Sequence, residues 1–372
     1  MAQIRNMMNM PPSNRLLVPL CAALACLPAW VFAQDVEANN FPNVTGNLIT
    51  RLGYNGDYDP EGSLEATNDV FLQVIASPVF HFSDRFRVRN ETRIETVAPP
   101  TANRAFEDEG LFVRILRAEY SVTDRLSFHA GKMTPSFALA SFATPGMFGN
   151  SYNKEIELID RVGLGGAYLF GGGVNGEHTL TFNSFYKDTS FLSDSFGTSR
   201  GRTRLEDGGA SNTEGLDSFT LSLQGSGMER FPGLTYKLGL IHQSRGVDGV
   251  ADENGVSFSV VQTHDTARGD QWTFIGELAA FDNFEGTADK IVYASAGGVY
   301  RTGPWTAVLS GTYRPRDLAS AGSFHDYSLQ SSIEYSFDSG ISLAVAHEFR
   351  RDENLNNNRV GIRLIKTIDF GG

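Results

Sequence analysis

From residue 43 onward, apolar and polar residues alternate with a period of two, the pattern of a strand with two unlike faces. The stretch from Trp305 is a clear case. One parity reads Trp305, Ala307, Leu309, Gly311, Tyr313, and the other Thr306, Val308, Ser310, Thr312, Arg314. Residues 327–337 set Tyr327, Leu329, Ile333, Tyr335 and Phe337 against Ser328, Gln330, Ser332, Glu334 and Ser336. Sixteen such segments are predicted, at about 44–57, 66–82, 86–97, 110–122, 126–134, 161–170, 177–188, 215–227, 234–245, 255–264, 271–282, 289–301, 304–315, 325–337, 341–350 and 358–370.

Every second connector is short: 83–85, 123–125, 171–176, 228–233, 265–270, 302–303 and 338–340. The others run 58–65, 98–109, 135–160, 189–214, 246–254, 283–288, 316–324 and 351–357. Short turns at one end and longer loops at the other mark a transmembrane barrel, and an even strand number places both chain ends on the short-turn, periplasmic side. Strands of about ten residues suit a tilted membrane crossing, whereas strands of globular proteins average about 5–6. Aromatics such as Phe82, Phe86, Tyr120, Phe170, Tyr186, Trp305, Tyr313, Phe337 and Phe349 fall near the ends of apolar rows, where interfacial girdles belong.

The segment 86–97 carries the sharpest argument. One parity is Arg87, Arg89, Glu91, Arg93, Glu95, and the other is Phe86, Val88, Asn90, Thr92, Ile94, Thr96. An arginine facing lipid at mid-membrane costs about 2–4 kcal/mol, so the charged row must face an aqueous lumen. The next segment is less regular. Residues 111–116 are apolar on both parities, and Arg114 shares a parity with Leu116 and Tyr120. Either a subunit interface or a bulge accounts for such a run.

The chain start has a different character. Arg5 and Arg15 precede an apolar run from Leu16 to Phe32, followed by Ala33 and then Gln34-Asp35. That order reads as a signal peptide over 1–33, followed by an N-terminal extension at 34–42. Its removal takes both cysteines, Cys21 and Cys26, and leaves 29 basic against 43 acidic residues. An exported chain without cysteine has no disulfides, and its acidic balance argues against a nucleic-acid partner. The barrel then occupies 43–370, with 371–372 as a tail.

These features resemble the general porin family of Gram-negative outer membranes. The resemblance lies in the sixteen segments over 43–370 and in the strand Arg117–Val122, the turn Thr123-Asp124 and the strand Leu126–Lys132, which ends in Gly131-Lys132. The family has a similar strand, turn and strand just before its third external loop. Pro145–Gly149 is faintly similar to the family's Pro-Glu-Phe-Gly-Gly loop motif but lacks the Glu. The end, Ile362, Leu364, Ile368, Phe370, is similar to the family's terminal aromatic signal, except that Gly371-Gly372 follow. The resemblance implies an all-β, antiparallel up-and-down barrel of about sixteen strands whose third external loop, 135–160, folds into the lumen as a constriction. It also implies a homotrimer in outer-membrane lipid that passes ions and small hydrophilic solutes passively, with no enzyme activity, metal or cofactor.

A passive pore needs a polar lumen and a field across its narrow part. The expected basic wall is Arg51, Arg87, Arg89, Arg93, Arg117, Lys132, Arg359 and Arg363, on segments 1, 3, 4, 5 and 16, of which the first and last meet when the barrel closes. The expected acidic counterpart on the loop is Glu155, Glu157 and Asp160. The bland alternative is that each arginine merely pairs with a strand carboxylate such as Glu91, Glu95 or Glu119. Catalytic signatures are weak. Gly171, Gly173 and Gly176 fit G-x-G-x-x-G, but a strand rather than a helix follows, which makes a turn the better reading. The histidines are scattered, and the acidic run 248–255 reads as a loop or a calcium site. A channel selective for a sugar, phosphate or another anion, a barrel enzyme and a soluble export are the competing functions.

Overall fold

The computed structural model describes residues 41–62, 64–100, 103–139, 144–149 and 151–371; the expected signal peptide, 1–33, and most of the expected extension, 34–42, lie outside the described residues. Sixteen long strands form one closed antiparallel barrel. They are β1 Asn43–Tyr58, β2 Asn68–His81, β3 Phe86–Thr96, β4 Glu109–Ser121, β5 Leu126–Met133, β6 Arg161–Gly171, β7 Glu177–Lys187, β8 Ser218–Ser226, β9 Leu234–Gln243, β10 Glu253–Asp265, β11 Gln271–Asp282, β12 Lys290–Thr302, β13 Trp305–Leu318, β14 Gly322–Ser336, β15 Ile341–Asp352 and β16 Leu355–Phe370. Each pairs with its sequence neighbours, and β16 closes the wall on β1 in the register Gly46↔Phe370 to Tyr58↔Asn358. Closure pairs each long strand on both sides, the condition for a sheet to cross lipid.

The two parities have opposite fates. Phe258, Leu278, Leu309, Leu329 and Ile333 are exposed, while their neighbours Ser259, Glu277, Ser310, Gln330 and Ser332 are buried. Side chains splay apart on the convex side of a cylinder and crowd on the concave side, so the exposed apolar rows form the outer face and the polar rows the inner one. At the short-turn end the outer face gathers aromatics. Trp272 meets Tyr300 with ring centroids 4.5 Å apart, Trp305 meets Tyr335 at 4.7 Å, and Tyr335 meets Phe337 at 4.8 Å.

Three details go beyond the sequence pattern. First, β13–β16 continue past their apolar alternation: the expected loops 316–324 and 351–357 shrink to tight turns at 319–321 and 353–354. The extra rungs are held by ion pairs in place of apolar rows. Arg316 lies 2.5 Å from Asp326 across the β13–β14 ladder. Second, a β-bulge in β4 explains its irregular pattern. Glu91 opposes Ile115 and Thr92 opposes Val113, so Arg114 is an extra residue with no partner on β3. The bulge flips the parity. Leu116 and Tyr120 face outward below it, and Leu111 faces outward above it. Third, Gly171, Gly172, Gly173 and Gly176 all take positive φ and build the turn that joins β6 to β7. The G-x-G-x-x-G spacing is therefore turn chemistry.

Candidate functional site: the inner face of the barrel

The inner face begins with the charged row of β3. Phe86 opposes Tyr120, both exposed, while the next pair, Arg87 opposite Glu119, lies on the other face. Arg87 and Arg89 reach Glu119 at 2.5 and 2.9 Å, and Arg117 also binds it. One buried carboxylate thus gathers three guanidinium groups. Further along, Arg93 lies 2.7 Å from Glu91 and 3.6 Å from Glu95. Arg359 of β16 lies 2.9 Å from Asp57 of β1 and 3.8 Å from Glu348 of β15. Arg51 and Arg363 share this face through the register of β1 on β16, in which Gly53 opposes Arg363. Seven of the eight expected basic residues therefore stand on the inner faces of four strands around the barrel seam, β16, β1, β3 and β4, and β2, which lies between β1 and β3, supplies the bridging Gln73.

Lys132 is the exception and corrects the expectation. Gly131 takes a φ of 129°, the pairing of β5 runs on through Lys132, and the side chain of Lys132 is buried beside the loop that follows β7. Its Nζ lies 2.7 Å from both Asp160 and Asp188 and donates to the Leu192 carbonyl at 2.6 Å. Arg200 adds a contact to Asp160 at 3.0 Å and stacks 4.2 Å over the Phe112 ring. Strand β5 is short and pairs with β4 only up to Leu116, so the rest of β4 lacks that neighbour. The two-residue strand Phe196–Gly197 takes up part of the gap by pairing with Gly110 and Leu111. Residues 188–200 thus form a strap across the shortest part of the wall.

The long segment between β5 and β6 bonds to inner-face groups on strands far around the cylinder. Ser257 donates to the Phe137 carbonyl at 3.1 Å, and the Leu139 amide donates to Glu277 at 2.7 Å. Ser310 and Gln330 both donate to the Pro145 carbonyl at 2.9 Å. Asn153 donates to Thr312 at 3.2 Å and accepts from Ser295 at 2.9 Å. Three inner-face glycines give it room: a Cβ on Gly239 would sit 2.2 Å from the Phe137 oxygen, one on Gly297 2.9 Å from Pro145, and one on Gly361 2.5 Å from the Met147 sulfur. Phe137, Tyr152 and Ile156 bury against Phe281 and Tyr293 of β11 and β12.

The three loop acids go to three different places. Glu155 is held by Arg314 at 2.6 Å and accepts from the Tyr293 hydroxyl at 2.7 Å. Glu157 binds Arg114, the bulge residue. Burial pushes the Glu157 carboxyl above the usual glutamate range, against the pull of Arg114 and Arg93. Asp160 goes to Lys132 and Arg200. They do not form one acidic patch facing Arg51 and Arg363. Sequence reasoning also missed the cluster at the long-loop end, where Arg314 and Arg316 share Asp326 and Asp352 at 2.5 to 3.2 Å. The available signal was the polar parity Thr312, Arg314, Arg316, which runs past the end of the apolar row. A pocket of about 400 Å³ opens there, lined among others by Arg314, Arg316, Arg350 and Asp352. In the run 248–255, Asp252 accepts the Arg245 amide at 2.9 Å and Glu253 accepts from Gln243 at 2.6 Å, as in a hydrogen-bonded loop.

No protein-family model matches the chain. No curated protein matches it either. Solved structures do. OprB of Pseudomonas putida superposes with a TM-score of 0.61 at 10% identity, over 87% of this chain and 94% of that one. OmpF of Salmonella typhi, solved in complex with daunomycin, gives 0.60 at 10% identity, over 88% and 98%. The outer membrane channel DcaP of Acinetobacter baumannii gives 0.59 at 14% identity, over 91% and 100%. At such identities it is the architecture that is shared, and the chain has the sixteen-stranded barrel fold of the outer-membrane porins.

Proposed function

We propose that the protein is an outer-membrane porin, a passive, water-filled channel for ions and small hydrophilic solutes. The observation that carries this reading is the inner row of β3. Arg87, Arg89, Glu91, Arg93 and Glu95 face the enclosed side of a closed barrel whose other face is an exposed apolar belt. A row of charges on an enclosed face requires water there. The lipid side then follows from the belt and its aromatic rim. The loop 135–160, whose described residues bond to inner-face groups from β8 to β16, is read as the constriction, with Arg51, Arg87, Arg89, Arg93, Arg117, Arg359 and Arg363 lining one side of the path.

The sorting of solutes needs no bond chemistry, so the protein is read as a channel and not an enzyme. The loop acids Glu155 and Glu157 hold the constriction in place through Arg314 and Arg114. Export through a cleaved leader and assembly as a homotrimer complete the reading. A solved OmpT of Vibrio cholerae in trimer form shares the barrel, with a TM-score of 0.50 at 11% identity. The test is conductance of the refolded, purified protein in planar lipid bilayers. Stepwise, ohmic current increments are expected, and a correctly folded barrel that inserts without conducting would overturn the reading.

A further inference from the structure

Nearly every inner-face arginine of the seam is paired with a carboxylate, and two are not. Among the described residues, Arg87, Arg89, Arg93, Arg114, Arg117 and Arg359 each have a carboxylate within 4.0 Å, while no such contact reaches Arg51 or Arg363. The two lie side by side. Arg363 stands opposite Gly53, two residues along β1 from Arg51, and the next rung is Asp57 opposite Arg359 after Asn55 opposite Gly361. Arg51 donates through Nη1 to the Gln73 carbonyl oxygen at 2.6 Å, and Gln73 turns its amide to Glu95. The nearest carboxylate is therefore held one side chain away. Among the described residues, Arg363 has no carboxylate within 4.0 Å. Its guanidinium lies 5.7 Å from the rings of both Phe71 and Phe148, and its buried Nε has no hydrogen-bond partner.

Two adjacent like charges repel, and Arg359 adds to the repulsion on Arg363. Such a pair is costly beside Arg87, Arg89, Arg93, Arg114, Arg117 and Arg359, each of which touches an acid. Phe71 and Phe148 lie within cation–π range of the Arg363 guanidinium, and among the described residues its Nε makes no hydrogen bond. The same face carries a second surplus toward the short-turn end, where three guanidinium groups share Glu119. The chain as a whole is acidic, with a net charge of -12, so this local excess runs against the composition.

Resting on the channel reading above, we propose that Arg51 and Arg363 form a station for small oxyanions, a carboxylate or a phosphate, that makes the pore anion-preferring. Two guanidinium groups on neighbouring hydrogen-bonded strands bring several N–H donors to one region of the wall, each a planar fork that suits an oxyanion in a way that a lone ammonium does not. An anion seated there offsets the repulsion between the two bases, while the water-filled bore keeps the binding weak enough to permit release.

Planar-bilayer recordings test this. Under a KCl gradient the native channel is expected to reverse on the chloride side, and Arg51→Gln with Arg363→Gln is expected to move the reversal toward potassium. Sodium acetate and inorganic phosphate, added separately, are expected to reduce the chloride current, with a half-blocking concentration about tenfold higher in the double variant. Block by acetate alone assigns carboxylates; block by phosphate alone assigns phosphate. Arg363→Lys, which keeps charge but not the fork, is expected to retain the reversal potential and weaken the block. A double variant that conducts with unchanged reversal and unchanged block overturns the station and leaves the channel standing. A native barrel that conducts nothing overturns the channel itself.

Discussion

Arg114 of β4 binds Glu157 of the long inner segment because one extra residue in the strand turns its side chain to the inner face. By the alternation of its neighbours Leu116 and Tyr120 it would have faced outward. A one-residue bulge thus converts a misfit in the sequence pattern into an anchor. Both side chains are about nine-tenths buried, so the pair is costly to break.

Arg114→Ala is expected to lower stability by about 3 kcal/mol, because Glu157 is left buried without its partner. Urea unfolding from lipid vesicles reads this. The double variant Arg114→Met with Glu157→Gln should recover a large part of the loss, and equal destabilisation of the single and double variants would contradict the anchor.

Lys132 ties the strap to the wall through Asp160 and Asp188. Lys132→Met should cost about 3–5 kcal/mol, since two buried carboxylates lose their shared cation. The temperature at which the barrel loses its compact migration in detergent gels is expected to fall. An unchanged temperature would mean that the strap is held elsewhere.

Asp188 gives the strap a pH dependence. Burial opposes its charge, but the hydrogen bonds from Lys132 and Ser190 outweigh it, and its carboxyl sits below the usual aspartate range. A depressed carboxylate contributes stability that is fully present above the unfolded value of about 3.9 and is lost as the pH falls through the folded value. Amide hydrogen exchange in residues 188–200, corrected for the intrinsic pH effect, should therefore stay slow down to about pH 4 and quicken below it. Protection that already fails near neutral pH would remove Asp188 as the cause.

Gly361 lets Met147 and Phe148 approach the wall; a Cβ there would lie 2.5 Å from one and 2.7 Å from the other. Gly361→Val is expected to cost about 1–3 kcal/mol by overpacking, to push this part of the segment toward the axis and to lower single-channel conductance. Equal conductance would place the narrowest point elsewhere.

Leu278 lies exposed at mid-strand on the outer face. Leu278→Arg should cost about 2–4 kcal/mol when the barrel is in a bilayer. Unfolding in vesicles checks this, and a neutral result would remove the apolar belt from contact with lipid.

The barrel was legible in the sequence because a strand crossing between lipid and water must alternate, and alternation is a local property. The rows of β3, β13 and β14, the short turns and the parity of Arg51, Arg87, Arg89, Arg93, Arg117, Arg359 and Arg363 all follow from it. The strand ends of β13–β16 did not, since above the belt the ladder is extended by ion pairs such as Arg316–Asp326, which carry no apolar rhythm. What the tertiary structure alone decided is pairing across long sequence distance: that Glu155 goes to Arg314, Glu157 to Arg114 and Asp160 to Lys132, and that among the described residues no acid lies within 4.0 Å of Arg51 or Arg363. Period two fixes which side of the wall a residue faces. The partner it finds there depends on closure, register and the path of a loop, and those are set by the whole cylinder.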